Sequence, residues 1–424
     1  MMTDPTATTG EPESSVTERV AEEVLPLPTS RRRGTALCLS GGGYRAALFH
    51  LGALRRLNEL GILTRIDTFT SVSGGSITAA LLARQAAGWP QPGEAVPDWD
   101  RAVAEPLRTL VRRNIRTRSL AKRLLPWNWT DSSTAVRALA DAYERHLIPE
   151  RFGELPTHPR FVFCATDMTF GVNWVFDSAQ FEDGRGRLGD YQAGYVRPVP
   201  DDWPAARAVA ASSCAPPLFG PLPVGLPATD FRHRGTYQKP DRADLLSRIR
   251  LSDGGVYDNM GLEPVWKDHE TILVSDGGAV FEGEHDRGIF WRLMRYASIA
   301  DRQSRSLRRR WLIAGYVRKE FKGAYWGIGG VTSHYPARTE GYPEDLVDAV
   351  ISEVRTDLDS FSEDEMNALE NHGYLMAEAA IQSHCTGLVC IRAPLTIPHP
   401  AWLDRDRLQA GLADSSKRRL LGRR

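Results

Sequence analysis

TALCLSGGGYRAALFHLGALRRLNEL (residues 35–60) opens on a short apolar run, passes three glycines and an arginine, and continues with leucines at helical spacing. The run 35–40 suits a buried strand, and Leu48, Leu51, Leu54 and Leu57 line one face of a helix that ends at Gly61. DTFTSV (67–72) is β-branched and aromatic, which predicts a second strand, and ITAALLARQAA (77–87) a second helix stopped by Gly88-Trp89-Pro90. Strand, helix, strand, helix at this density is the signature of a parallel α/β architecture.

FVFCATDM (161–168) and NWVFD (173–177) predict a pair of strands, 203–211 a helix, and TILVSD (271–276) and WLIAGYV (311–317) further strands. Ser362 stands three residues before Glu365, capping-box spacing ahead of a helical pattern. The expected organisation is a disordered lead over 1–33, one α/β domain over 34–395 interrupted by a helical basic insertion at about 90–150, and a basic tail over 396–424. Lys plus Arg equals Asp plus Glu at 53 each, so no global basicity points to nucleic acid. Five cysteines without paired spacing argue against a disulfide framework or a zinc site and for a reducing compartment. The lead lacks a signal-peptide pattern and no long apolar run spans a bilayer, so a cytoplasmic protein is expected, with peripheral contact at the inner membrane face left open.

Two chemistries fit bare backbone at the mouth of a helix. G-G-G-Y-R-A satisfies the dinucleotide pattern G-x-G-x-x-G/A, whose glycines let pyrophosphate reach the helix N-terminus. That pattern wants an acidic residue closing the second strand, whereas Asp67 precedes it. What closes the strand is TSVSGGS, small residues around a serine at a strand-to-helix turn, which is the logic of a nucleophile elbow. Ser73 takes the nucleophile position with Gly74 and Gly75 after it, and Ser71 stands where a strict elbow has its first glycine. Ser76 is the rival and fits worse, because Thr78 occupies its own small-residue position. An ordinary turn with Ser73 or Ser76 as helix cap is the plain alternative. A serine needs a base and donors for the oxyanion, and Gly42 and Gly43 are the candidate donors, with Arg45 a fixed charge beside them. For the base, His269 and His285 are the late histidine candidates, both among charged residues. Asp253 in LSDGGVYDNMGLEPV and Asp276 in the second DGG are the aspartate options, and chemistry alone leaves the two open.

GGGYRA, the VSGGS elbow, ASSCAPPLFGPL (211–222) and SDGGVYDNMGLEP occur in the order that resembles the patatin-like phospholipases and the related cytosolic phospholipases. The resemblance covers roughly residues 34 to 280. It implies a three-layer α/β/α hydrolase core with a mainly parallel sheet, acting on fatty-acyl esters of phospholipids or other lipids through a Ser–Asp dyad without a cofactor. Carried over, Ser73 is the nucleophile, Asp253 the base, Gly41, Gly42 and Gly43 the oxyanion loop, Gly74 and Gly75 the elbow, and Arg45 a support for that loop or for a lipid phosphate. Ser40 stands where patatins proper have aspartate, while Gly74 and Ala46 are similar to the cytosolic phospholipase type. A non-catalytic lipid-binding or scaffolding relative is the alternative function.

Between Pro106 and Thr130 lie seven Arg or Lys and no Asp or Glu. Interleaved leucines, then Trp127 and Trp129, give 107–129 two readings: a basic helix lying on an anionic membrane, or a surface helix packed on the core. RQSRSLRRR (302–310) raises the same question more weakly.

Overall fold

A computed structural model describes residues 32–128, 131–233, 235–278 and 288–415. Its strands are β1 (Thr35–Leu39), β2 (Thr68–Val72), β3 (Arg160–Asp167), β4 (Val172–Phe181), β5 (Gly184–Asp190), β6 (Gly194–Val196), β7 (Leu222–Pro223), β8 (Arg250–Asp253), β9 (Thr271–Asp276) and β10 (Lys322–Gly327). They form one sheet in which β10, β9, β1, β2 and β3 run parallel in that order. Strands β4, β5 and β6 extend it antiparallel past β3, and β8 joins β3 antiparallel with β7 beyond it.

The main helices are α1 (Gly43–Glu59), α2 (Gly74–Ala86), α3 (Glu105–Val111), α4 (Ile115–Ala121), α5 (Thr134–His146), α6 (Ala205–Ser213), α7 (Ile289–Val317), α8 (Glu363–His384) and α9 (Arg405–Leu412). Alternation along β1 defines the layers, because successive side chains of a strand point to opposite faces. Leu37 and Leu39 join the large core with α1, α2 and α8, while Ala36 and Cys38 join a smaller one with Ile272, Val274 and Leu312 of α7. Both faces of the parallel strands are therefore covered, the expected α/β class.

Helix α1 is buried on nearly every side because α8 covers the face turned from the sheet. Two glycines allow this. A Cβ on Gly52 would sit 1.8 Å from the Glu370 carbonyl, and one on Gly373 1.8 Å from the Phe49 carbonyl. Polar groups in the seam are matched: Arg56 reaches Glu378 at 2.7 Å, and the fully buried Glu370 receives Arg55 at 2.9 Å and Arg108 at 3.0 Å. Burial pushes the Glu370 carboxyl up, but the His399 hydrogen bond and the charges of Arg55 and Arg108 hold it below its ordinary range.

The basic insertion packs on the core with Arg108 and Arg116 buried, while Arg112, Arg118, Lys122 and Arg123 stay exposed. Leu107, Leu110, Val111 and Ile115 are core residues. Arg108 also bonds Glu363, Arg112 pairs with Glu363, Arg116 with Asp357, and Lys122 with Asp141. Four of its seven cations thus have acidic partners, three of them on the C-terminal third. This is the packed-helix reading of 107–129; Trp129 lies outside the described residues. WLIAGYV, expected as a strand, is the last two turns of α7. Leu312 and Gly315 face the core while Ile313 and Val317 face out, a period of three to four that a short apolar run does not reveal. The strand at that sheet edge is β10, KGAYWG. Within the segment expected as a basic tail, 400–403 form a 3-10 turn and α9 follows, packed on α8 through Leu408 and Leu412. The basic run 416–424 and the lead over 1–31 lie outside the described residues.

The helix seam makes a test in which two effects have opposite signs. Intrinsic propensity favours alanine over glycine in a helix by about 1 kcal/mol, whereas overpacking costs about 1–3 kcal/mol. At Gly373 the added methyl meets backbone, which cannot rotate away, so Gly373→Ala lowers stability by about 2 kcal/mol in a urea titration. A stabilised variant would mean that the seam is looser than described.

Candidate active site

Register along one edge of β3 builds the site. β2 runs parallel to β3 and stops with Val72 opposite Cys164. β8 arrives from the other direction on the same edge and stops with Asp253 opposite Ala165. The two chains meet head to head, so the residue after β2, Ser73, confronts the last residue of β8. Ser73 is close enough to the Asp253 carboxylate to oppose the rise that burial gives it.

Ser73 has φ 50° and ψ −114°, a left-handed conformation that a non-glycine residue holds only when its surroundings impose it. The surroundings do so by contact. A Cβ on Gly74 would lie 2.1 Å from the Gly43 carbonyl, and one on Gly75 2.2 Å from the Leu39 carbonyl. The Ser73 N–H donates to Ser212 Oγ at 2.9 Å, anchoring the turn on the C-terminal end of α6. Ser212 also meets Ser76 Oγ at 2.8 Å, and Ser76 donates to Ser71 at 3.0 Å. Hydroxyls therefore fill the space that a strict elbow leaves to glycine. Ser73 keeps 8% of its surface accessible against 1% for Ser71 and 0% for Ser76, which separates the two candidate nucleophiles.

Asp253 is held once at its carboxylate and once at its backbone. Gly255 N–H donates to Oδ1 at 2.8 Å, and Thr166 Oγ1 donates to the Asp253 carbonyl at 2.8 Å. Burial raises its carboxyl to about 6, opposed by the Gly255 hydrogen bond and by Ser73 and reinforced by the charge of Asp301. Gly254 carries no side chain because a Cβ would press on the Cys164 carbonyl at 2.4 Å.

The glycine loop lies against this pair. A Cβ on Gly41 would come 3.2 Å from that of Ser73. The three glycines are not equivalent, since Gly41 N–H is engaged by the Asn259 carbonyl at 2.9 Å. Gly42 (φ 146°) and Gly43 (φ 57°), which open α1, have no hydrogen-bond acceptor for their N–H groups among the described residues. With α2 beginning at Gly74, two helix N-termini converge at Ser73, a setting that favours negative charge.

Arg45, expected to support the loop or a lipid phosphate, is buried behind it. Its guanidinium donates to the carbonyls of Val354 at 2.9 Å, Gly277 at 3.1 Å and Ser352 at 3.4 Å. Burial lowers its pKa to about 10, with Asp276 opposing. It ties the loop to two neighbouring segments and does not reach a surface where a phosphate would bind. Asp276, the alternative base, stands two strands away from β2 and receives Tyr325 Oη at 2.9 Å and Gly278 N–H at 3.0 Å. His269 bonds Thr68 at 2.9 Å, at the opposite end of β2 and about 16 Å along the strand from Ser73. His285 lies outside the described residues.

Several supporting residues carried no signal at the sequence level. His50, whose pKa burial lowers to about 4, is neutral: Nε2–H donates to the Ser40 carbonyl at 2.9 Å and Nδ1 accepts from Ser275 at 2.8 Å. Tyr44 N–H donates to the Asp357 carbonyl at 2.8 Å, and Arg116 holds Asp357 in turn. Ser212 and Asn259 sit inside motifs legible in the sequence, but their roles depend on contacts across the fold.

A family model described as patatin-like phospholipase matches residues 37–266. Among solved structures, human GIVD cytosolic phospholipase A2 aligns at 14% identity and a TM-score of 0.38, covering 62% of this chain and 48% of that one. VipD from Legionella pneumophila aligns at 15% identity and a TM-score of 0.34, covering 84% and 67%. The human enzyme in complex with methyl gamma-linolenyl fluorophosphonate and terbium chloride gives 15%, 0.32, 62% and 43%. The alignment thus spans about half of the human enzyme. No curated protein matches by sequence.

The raised carboxyl at Asp253 has a stability consequence. Its folded pKa of about 6 exceeds the ordinary value near 4, so stability is full below about pH 4 and falls as pH rises through 6. Asp253→Asn removes that dependence. The variant is expected to gain on the order of 2–3 kcal/mol relative to wild type between about pH 4 and pH 8, read by thermal melts at both. A parallel pH response in both proteins would contradict the burial described.

Proposed function

The chain belongs to the patatin-like phospholipase family, and from that premise we propose that it is a serine lipid acyl hydrolase, cleaving fatty-acyl esters of membrane lipids through a Ser73–Asp253 dyad. The meeting of β2 and β8 on the edge of β3 carries this reading. Asp253 takes the Ser73 proton as Oγ attacks the ester carbonyl carbon. The oxyanion forms beside the unengaged N–H groups of Gly42 and Gly43, at the positive end of α1. Collapse expels the alcohol, which leaves with the proton from Asp253, and the acyl group stays on Ser73. Water then attacks the acyl-enzyme, giving its proton to Asp253, and the proton returns to Ser73 as the fatty acid departs.

A base near 6 is ionised at neutral pH yet basic enough to take a proton, the balance that general-base catalysis favours. The hydrolase unit in this reading runs from residue 34 through α9, well beyond the family match. Its oxyanion loop leans on Asp357, and Arg45 on Ser352 and Val354.

Fatty-acid release from mixed phospholipid vesicles tests the proposal. Ser73→Ala is expected to lose at least about ten-thousandfold in kcat. Gly43→Ala, which strains a left-handed residue and moves a donor, loses about a hundredfold or more. Activity of wild type rises with pH through about 6 and then levels, since the base works deprotonated. Undiminished release by Ser73→Ala would overturn the assignment; folded wild type inert on every lipid class would favour a non-catalytic lipid-binding protein.

A further inference from the structure

Helix α7 is 29 residues long, about 40 Å, and many of its described side chains are exposed. Of the eleven exposed large apolar side chains among the described residues, six are on it: Ile289, Tyr296, Ile299, Leu307, Ile313 and Val317. Arg292, Arg302, Arg309 and Arg310 are exposed with them. The helix holds seven arginines and one acidic residue, Asp301. That acid is partly buried and bound to Arg305 at 2.6 Å.

The inward side belongs to the active-site wall. Arg308 lies 3.4 Å from Asp258 and stacks on Tyr257, both on the helical turn Gly255–Asp258 that follows the proposed base. Arg305 packs on Gly278, beside the loop that braces Arg45, and Asp301 contributes to the field at Asp253. Val256, on the same turn, is exposed next to the helix.

We propose that the outward face of α7, and not the insertion at 107–129, is the surface through which this protein seats on an anionic lipid bilayer, placing the Ser73 site against its substrate. Scattered large apolar groups interleaved with arginines, on a long helix whose one acid is bound to Arg305, match the chemistry of an acyl–headgroup boundary. The negative surface potential of such a bilayer complements that face. In the insertion, acidic partners hold Arg108, Arg112, Arg116 and Lys122. The inference rests on the lipid-hydrolase reading for its purpose, but binding is measurable without turnover.

Co-sedimentation with vesicles of phosphatidylcholine alone, or mixed equally with phosphatidylglycerol, tests it on the full chain. Wild type and Ser73→Ala bind the mixed vesicles alike, more weakly as salt rises, and bind phosphatidylcholine poorly. Leu307→Glu combined with Arg310→Glu weakens that binding by about tenfold or more. The variant keeps the wild-type melting temperature and turnover of a water-soluble ester. Charge reversal at Arg118 and Arg123 leaves binding unchanged. Absence of wild-type binding, or equal binding by the α7 variant, overturns the proposal. So does a wild-type dimer that the α7 variant converts to monomer, since a second copy would then cover the face. Vesicle binding that survives alongside total inactivity on lipids would count against the hydrolase reading and leave the surface standing.

Discussion

One edge of β3 serves two partners, and the site depends on where the first leaves off and the second begins. β2 occupies that edge up to Cys164, and β8, running the other way, from Ala165 to Asp167. Were β2 one residue longer, Ser73 would be a strand residue with its side chain fixed to one face. Were β8 to slip by one, every one of its side chains would change face and Asp253 would leave the serine. Gly254, Gly74 and Gly75 make the junction sterically feasible, because each sits where a methyl would strike a carbonyl of the neighbouring chain.

The loop opposite is rigid for a different reason. Its glycines adopt backbone angles that carry intrinsic entropy costs, so the surroundings must hold them. They do so with neutral hydrogen bonds and one buried cation. His50 links the Ser40 carbonyl to Ser275, Ser40 Oγ receives Gly277 N–H, and Arg45 gathers three carbonyls from two other segments. A buried charge satisfied by carbonyl dipoles makes a positioning device, and it explains an arginine so close to the glycines without assigning it to substrate. The N–H groups of Gly42 and Gly43 are left without an acceptor among the described residues, and the proposed mechanism gives them the oxyanion.

The glycine loop, the elbow and the alternation of strand and helix over 35–87 were legible because each is a local pattern: apolar spacing, small residues at a sharp turn, a helix stop. Between Asp253 and Asp276 local chemistry left the choice open, and the family resemblance of the residues after Asp253 favoured it. What stayed hidden is non-local. Arg108, Arg112 and Arg116 read as a basic stripe because Glu370, Glu363 and Asp357 lie some 250 residues away in sequence. The same distance concealed the contribution of the C-terminal third, where Asp357 and α8 brace a loop formed at residue 43. WLIAGYV was misread because seven apolar residues fit a strand as well as a helix end, and only the length of α7 decides between them.

Mass-spectrometric mapping after exposure of the native chain to a fluorophosphonate, a reagent that captures activated serines, tests the central claim most directly. One adduct is expected, on Ser73, and its formation slows by orders of magnitude in Asp253→Asn although that variant is folded. An adduct on Ser76, or labelling of Ser73 at an undiminished rate without Asp253, would contradict it.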